Sequence, residues 1–83
     1  MQVIIHLHAR QRLMERGASE DEVVETVLTG EMFPAKFERT AFRKNFSYQS
    51  IWNSRNYQTK QIETYCVKEN NDWIVITVIV KYF

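Results

Sequence analysis

The chain has 83 residues, with 11 Lys or Arg against 10 Asp or Glu, and 45% of its residues are apolar. This length predicts a single domain over residues 1–83, and the apolar share excludes wholesale disorder. No apolar run is long enough to cross a bilayer, no secretory leader is visible, and the lone Cys66 cannot form an internal disulfide. We therefore expect a cytoplasmic protein with no membrane segment.

The near-neutral net charge hides a separation of charge along the chain. Five carboxylates and no cation lie between Ala18 and Glu31, whereas six cations and one carboxylate lie between Met32 and Ile62. A chain with this separation can present a basic face to a polyanion. The six cations are Lys36, Arg39, Arg43, Lys44, Arg55 and Lys60.

The N-terminal half predicts a short strand and two helices. The stretch Gln2–Leu7 is rich in β-branched residues and is typical of a strand. A first helix is expected from about His8 to Arg16, and Gly17 is suited to the left-handed conformation that ends it. A second helix opens with a capping box at Ser19 and closes before Gly30. Its expected buried stripe is Val23, Val24, Val27 and Leu28.

From Met32 onward, the hydrophobic period changes from nearly four to two, which indicates strands. The segment Met32–Thr40 is expected to be a loop that passes into an irregular strand. Strands are predicted over Thr40–Tyr48, Tyr57–Lys68 and Trp73–Phe83, with turns at Asn53–Asn56 and Glu69–Asp72.

The last strand predicts the architecture, because it is apolar on both faces and so favours a central position in the sheet. One face is expected to pack on the helices and the other to carry Thr77 and Lys81. The expected fold is α+β: a short N-terminal strand, two helices, then a twisted antiparallel sheet of three to four strands. Alternation along this strand predicts that one of its faces carries Ile74, Ile76, Val78, Val80 and Tyr82.

One helix side carries a distinctive polar stripe. His8, Arg12 and Arg16 stand at four-residue intervals, so they lie above one another on the first helix. Stripes of this kind are usually only the solvated side of a helix. An imidazole beside two guanidiniums, however, also suits RNA cleavage without a metal. Imidazole transfers protons near neutral pH, and guanidinium groups stabilise the charge that grows on the phosphate.

Other chemistries have little support in the sequence. There is no Gly-rich phosphate loop, CxxC, HExxH or nucleophile elbow, so no cofactor is expected. His6, His8 and Cys66 are a weak set of metal ligands, because structural zinc sites show four ligands in tight pairs. We therefore predict no metal and interpret Cys66 as a small core residue.

The basic middle segment also contains aromatic residues that could stack on unpaired bases. The alternative is that these side chains cover a small core and that the cations are ordinary strand surface. The predicted RNA-contacting residues are Lys36, Arg39, Arg43, Tyr48, Trp52, Arg55 and Lys60, with Arg16, Arg43 and Lys44 as possible phosphate partners.

The pattern H-A-x-x-R-x-x-x-R-G is present from His8 to Gly17, followed by S-x-x-E-V from Ser19 and a closing I-V-I-T-V strand, Ile74–Val78. Together these resemble a family of small prokaryotic proteins with a domain of unknown function. That family is grouped by fold with the barnase–EndoU–colicin–RelE class of metal-independent ribonuclease toxins. The resemblance covers most of the chain and is weakest between Met32 and Gln61.

The resemblance implies that His8 is the acid–base residue, that Arg12 faces the scissile phosphate and that Thr77 hydrogen-bonds nearby. The second proton-transfer group stays open among Lys44, Lys81 and Tyr82. RNA is the expected partner, with a cognate antitoxin protein if the chain is a toxin; the oligomeric state is undetermined. Two alternatives are an RNA-binding module without chemistry and a protein-interaction or regulatory domain.

Overall fold

The computed structural model describes residues 1–83 without a gap. In chain order the elements are β1 (Val3–Ile5), α1 (Leu7–Glu15), α2 (Glu20–Thr29), β2 (Glu31–Pro34), β3 (Thr40–Trp52), β4 (Arg55–Glu69) and β5 (Asp72–Tyr82). The strands form one mixed sheet in the order β1-β5-β4-β3-β2, in which β1 runs parallel to β5 and all other pairs are antiparallel. The predicted α+β class is confirmed, but the sheet has five strands rather than three or four, because both β1 and β2 join it.

Both helices begin where a side chain satisfies a free backbone N–H group. α1 begins one residue earlier than predicted, because Nδ1 of His6 accepts a hydrogen bond from the backbone N–H of His8 at 3.2 Å. The chain leaves α1 through Gly17, whose φ of 82° strains any residue with a β-carbon. The predicted capping box of α2 is confirmed: Glu22 N–H donates to Ser19 Oγ at 3.1 Å, and Ser19 N–H donates to Glu22 Oε1 at 2.9 Å.

The core lies between the two helices and one side of the sheet, which we call the helix face. Its apolar side chains come from both helices and from the three long strands, and their removal from water stabilises the fold. The fully or almost fully buried members include Ala9, Leu13, Val23, Val27, Phe42, Ile62, Cys66, Val75 and Val78.

Two of the four residues predicted to form the buried stripe of α2 are not fully buried. Leu28 is 57% exposed, and Val24 only packs against the edge of the core. Thr26 is fully buried instead, because the helical period carries the stripe from Val23 to Thr26 and Val27. The Thr26 hydroxyl donates to the carbonyl oxygen of Glu22 at 2.8 Å, so its burial leaves no unpaired polar atom.

β5 contains a β-bulge at Ile76. The register with β4 shifts between Val75 and Thr77, which leaves Ile76 without an opposite residue. The extra residue changes the alternation, so that Val75 and Val78 are both buried on the helix face and Thr77 lies on the opposite, open face. The predicted common face of Ile74, Ile76, Val78, Val80 and Tyr82 is therefore wrong on the N-terminal side of the bulge.

Tight turns join the long strands. Asn53 and Ser54, with φ of 50° and 69°, connect β3 to β4, whereas Arg55 and Asn56, predicted as turn residues, already belong to β4. The turn between β4 and β5 lies where predicted, at Asn70 and Asn71. The predicted loop over residues 32–40 contains β2, which pairs with residues 40–43 of β3.

Candidate functional site

A pocket lies between α1 and β5 at the point where β1 ends. β1 pairs only with residues 73–75 of β5, so the continuation of β5 has no strand partner on that side. The pocket has a volume of about 300 Å³, and we call it the edge pocket. Its lining consists of four residues predicted from the sequence and one from the bulge: His8, Arg12, Arg16, Thr77 and Ile76.

Three side chains of α1 reach the edge pocket from one side of the helix. His8 is exposed in the first turn, and its ring stacks on that of His6 with 5.4 Å between centroids. Arg12 is exposed and forms no ion pair. Arg16 donates from Nη1 to the carbonyl oxygen of Val78, which holds its guanidinium against β5. The pocket therefore combines an accessible imidazole with one free and one anchored cation.

Thr77 also lines a second pocket on the other side of the sheet, which we call the open-face pocket. It has a volume of about 490 Å³ and lies between β4, β5 and the loop that joins β2 to β3. Because Thr77 belongs to both linings, the two pockets meet at this residue. Aromatic and cationic side chains surround the second pocket, among them Phe33, Lys36, Phe37, Arg39 and Tyr65.

The cations without a carboxylate partner collect around Thr77. Five of the 11 Lys and Arg residues form ion pairs, namely Arg10, Arg43, Lys44, Lys60 and Lys81. Four of the other six line the edge pocket or the open-face pocket. These four, Arg12, Arg16, Lys36 and Arg39, give the two pockets an excess of positive charge that favours an anion.

Three of the predicted site residues are instead engaged in ion pairs. Lys44 on the helix face lies 2.8 Å from Glu25 and donates to the Thr29 hydroxyl at 2.6 Å, away from both pockets. Lys60 is 7% exposed and lies 2.8 Å from Glu22. These contacts join α2 to the sheet, so part of the charge that the sequence separates is paired by the fold.

Arg43, the third of these residues, lies on the open face between two carboxylates. Its guanidinium is 3.1 Å from Glu31 and 3.1 Å from Glu63. The hydrogen bonds that Arg43 donates, first to Glu31 and then to Glu63, raise the pKa of Arg43. Arg43 also lies over the Phe33 ring, 4.8 Å from its centroid, so its main contacts are within the protein.

The predicted base-stacking residues of β3 belong to an aromatic cluster around Tyr82. The Trp52 ring stacks on Tyr82 with 4.9 Å between centroids, and Tyr48 meets the same ring edge-on at 5.1 Å. Lys60 lies over the Tyr48 ring at 5.3 Å. The cluster packs beside Gly17 at the end of α1, so these rings have their main contacts within the protein. Arg55 is exposed on the β3–β4 hairpin, outside both pockets.

Glu63 and Tyr65 were missed by the sequence reasoning. The Glu63 side chain is 7% exposed, pairs with Arg43 and accepts a hydrogen bond from the Tyr65 hydroxyl at 3.1 Å. Partial desolvation, followed by the hydrogen bond to Glu63, raises the pKa of Tyr65, which stays protonated at neutral pH. Tyr65 lies directly opposite Thr77 across β4 and β5. The alternation of β4 around Thr64 would have predicted that Glu63 and Tyr65 share one face.

The weak metal-ligand set of the sequence does not come together. No three His, Cys, Asp or Glu side chains converge to hold an ion, and Cys66 is fully buried in the core. Burial raises the pKa of the Cys66 thiol to about 11, which makes it an inert core residue.

The fold and the two pockets that share Thr77 define a small α+β protein with a cationic site at the free edge of a mixed sheet. The chain belongs to the family described as Domain of unknown function (DUF4258), which matches residues 5–80. Neither a curated protein nor a solved structure is significantly similar to the chain. Neither helix has the length and apolar character needed to cross a membrane.

Proposed function

We propose that this protein is a metal-independent endoribonuclease of the toxin type, related by fold to the barnase–EndoU–colicin–RelE class. The observation that carries the proposal is the convergence of His8, Arg12, Arg16 and Thr77 on the edge pocket. These residues come from both ends of the chain, and they supply a proton carrier, two cations and a hydroxyl. That combination matches the needs of RNA cleavage by an internal nucleophile.

The proposed reaction begins at the ribose 2′-hydroxyl. His8, in its neutral form, accepts the proton of this hydroxyl while the 2′-oxygen attacks the adjacent phosphorus. The bond from phosphorus to the 5′-oxygen breaks, which leaves a 2′,3′-cyclic phosphate on one product. Solvent water at the exposed pocket gives a proton to the departing 5′-oxygen, and the resulting hydroxide is neutralised by the proton that His8 releases.

The two arginines have different proposed roles because their environments differ. Arg16 is held by the Val78 carbonyl, so it offers its remaining N–H groups from a fixed position. Arg12 has no ion-pair partner and is able to move onto a phosphate oxygen. Both stabilise the negative charge that develops on the phosphate, and the Thr77 hydroxyl donates a hydrogen bond to the same group.

The first experiment is cleavage of single-stranded RNA by the purified protein with a chelator present. We expect His8→Ala to lower the rate by about 10²- to 10⁴-fold, the usual contribution of a proton-transfer group. Because the His8 side chain is exposed, this variant should remain folded. The matched control is His6→Asn, which removes the neighbouring imidazole and keeps a side-chain acceptor at the start of α1.

The result is read from the rates and from the RNA ends. New ends carrying a 2′,3′-cyclic phosphate, made by the wild type and His6→Asn and not by His8→Ala, would support the mechanism. Full activity in His8→Ala would overturn the role of His8. A folded wild type that yields no product at any concentration would favour an RNA-binding module without chemistry.

A toxin of this kind acts on cellular RNA, so we infer that it works in the cytoplasm and is neutralised by an antitoxin protein. Expression of the chain alone, and together with the product of a short adjacent gene, tests the second point. Growth arrest that the adjacent product relieves would support it, and growth unaffected by an active enzyme would contradict it.

A further inference from the structure

We propose that the open-face pocket binds one unpaired nucleobase of a single-stranded RNA, beside the phosphate that the edge pocket holds. This inference rests on the proposed function, because it takes RNA as the substrate, and it names the form of RNA that the site selects. It adds Phe33, Phe37 and Tyr65 to the residues that contact the substrate. None of these three is part of the proton-transfer machinery described above.

The pocket has the size and lining of a base-binding site. Its volume of about 490 Å³ lies within the range of small-molecule pockets, and three aromatic rings contribute to its walls. One side of the Phe33 ring is covered by the Arg43 guanidinium, 4.8 Å from the ring centroid. Phe37 is 83% exposed, and its one close cation is the Arg39 guanidinium, which lies 5.8 Å from the ring centroid. Phe37 is therefore the ring on which we expect a base to stack.

The loop between β2 and β3 holds Phe37 in a backbone conformation that residues with a β-carbon rarely adopt. Phe37 and Glu38 have φ of 61° and 59°, the left-handed region that favours glycine. The turn is closed by hydrogen bonds from Ala35 N–H to the Arg39 carbonyl at 2.9 Å and from Arg39 N–H to the Lys36 carbonyl at 3.3 Å. The same pair of left-handed residues forms the other two hairpin turns, at Asn53–Ser54 and Asn70–Asn71, so the conformation belongs to the hairpin. What distinguishes this turn is the large apolar ring that it exposes, which does not stabilise the chain and is available to a ligand.

Charge favours an anionic occupant. Lys36 and Arg39 flank Phe37 on this loop, and neither forms an ion pair with Glu38 or with any other carboxylate. Arg12 and Arg16 lie on the other side of Thr77. A stacking ring between backbone-binding cations is the usual arrangement of a site for single strands.

The shared Thr77 makes the two subsites neighbours. We infer that a base in the open-face pocket and a phosphate in the edge pocket belong to adjoining positions of one strand, because both pockets are lined by this residue. A base inside a duplex is stacked on both sides and cannot enter such a pocket. The arrangement therefore selects single-stranded RNA over double-stranded RNA.

The test uses a probe that cannot be cleaved, a six-nucleotide RNA that is 2′-O-methylated throughout and has 2-aminopurine at one central position. Its affinity is measured by anisotropy of an end label, and transfer of the base from its neighbours into the pocket is measured by the change in 2-aminopurine fluorescence on binding. We expect Phe37→Ala to weaken binding by about fivefold or more, the lower end for loss of one stacked base, and to abolish the change in fluorescence. The matched control is Phe83→Ala, another exposed phenylalanine outside both pockets.

A second pair of variants tests the charge of the loop. Lys36→Gln should weaken binding and reduce its dependence on salt, whereas Lys68→Gln, an equal change in net charge outside both pockets, should leave both unchanged. The same probe annealed to its complement should bind less tightly than the single strand. Equal binding by Phe37→Ala, or equal affinity for the duplex, would overturn the base pocket.

The outcome separates this inference from the nuclease proposal. Probe binding is measured independently of cleavage, because the 2′-O-methylated probe has no free 2′-hydroxyl to attack. Probe binding that depends on Phe37 in a protein that cleaves no RNA would support the base pocket and refute the nuclease. If the protein cleaves RNA but Phe37→Ala binds the probe as tightly as the wild type, the base pocket alone is refuted. A wild type that does not bind the single-stranded probe would also refute the base pocket.

Discussion

Lys60 on β4 and Glu22 on α2 form an ion pair, with 2.8 Å between Nζ and Oε1, beneath the turn that joins the two helices. Lys60 also donates to the carbonyl oxygen of Gly17 at 3.0 Å, and only 8% of its side chain is exposed. The same Glu22 oxygen accepts a hydrogen bond from the backbone N–H of Ser19. One lysine thus connects the sheet, the turn and the start of α2.

Replacement of this lysine should destabilise the fold. Lys60→Met leaves the Gly17 carbonyl without its lysine donor and the Glu22 carboxylate without its cation, so we expect a loss of about 2 kcal/mol in the free energy of unfolding. Urea denaturation measures the change. The control is Lys81→Met, whose side chain is 58% exposed and lies 4.0 Å from Glu63, and which should change stability by less than about 1 kcal/mol. A Lys60→Met variant of unchanged stability and weakened RNA affinity would refute this structural role.

Tyr82 should make stability depend on alkaline pH. Its hydroxyl donates to the carbonyl of Arg16 at 2.7 Å, and burial, followed by nearby Tyr48 and Glu22, raises the pKa of Tyr82 from 10.0 to about 12. Because the folded-state pKa lies above the unfolded value, the stabilisation is complete below pH 10 and is lost as pH rises toward about 12.

Tyr82→Phe should therefore lose about 1 kcal/mol of stability at neutral pH, the value of one hydrogen bond. The difference in melting temperature between wild type and variant should then shrink between pH 10 and about 12. Thermal melts of both proteins over this range measure the effect, and the subtraction removes the titration of other groups. A difference that stays constant or grows with pH would contradict the assignment.

Gly17 should not tolerate a side chain. Its φ is 82°, and an added β-carbon would overlap the Tyr82 hydroxyl and come within 2.6 Å of Trp52 Cζ3. We expect Gly17→Ala to lower stability by about 2 kcal/mol, from backbone strain together with displacement of the aromatic cluster. Chemical denaturation measures this, with Glu15→Ala on the exposed side of α1 as the control. Equal stability of Gly17→Ala and wild type would show that the aromatic cluster can move aside with little cost in free energy.

Arg12 offers the sharpest test of the proposed cleavage, because α1 carries a matched arginine. Arg12 lines the edge pocket, whereas Arg10 lies outside it and pairs with Glu20 at 3.3 Å. We expect Arg12→Ala to lower kcat by about 10²-fold, the usual loss for one group that stabilises transition-state charge. Arg10→Ala should keep the wild-type rate. Equal losses in both variants would indicate a general charge effect rather than a phosphate contact.

The sequence by itself determined the local features of this protein. Gly17, the Ser19–Glu22 box and the Asn70–Asn71 turn act over a few residues, so their patterns predict helix ends and hairpins without knowledge of the fold. The four-residue spacing of His8, Arg12 and Arg16 likewise fixed one side of α1, because helical geometry follows from the backbone alone.

Only the tertiary structure decided which cations remain free to bind an anion and which face of the sheet each side chain occupies. The basic strands approach the acidic helix, so Lys44 and Lys60 pair with carboxylates of α2, and Lys60 is also buried. The bulge at Ile76 brings Val75 to the helix face, against the predicted alternation, whereas Thr77 lies on the open face as predicted. No local pattern placed Thr77 beside His8, Arg12 and Arg16, because long-range pairing and packing determine register, and register determines which side chains converge.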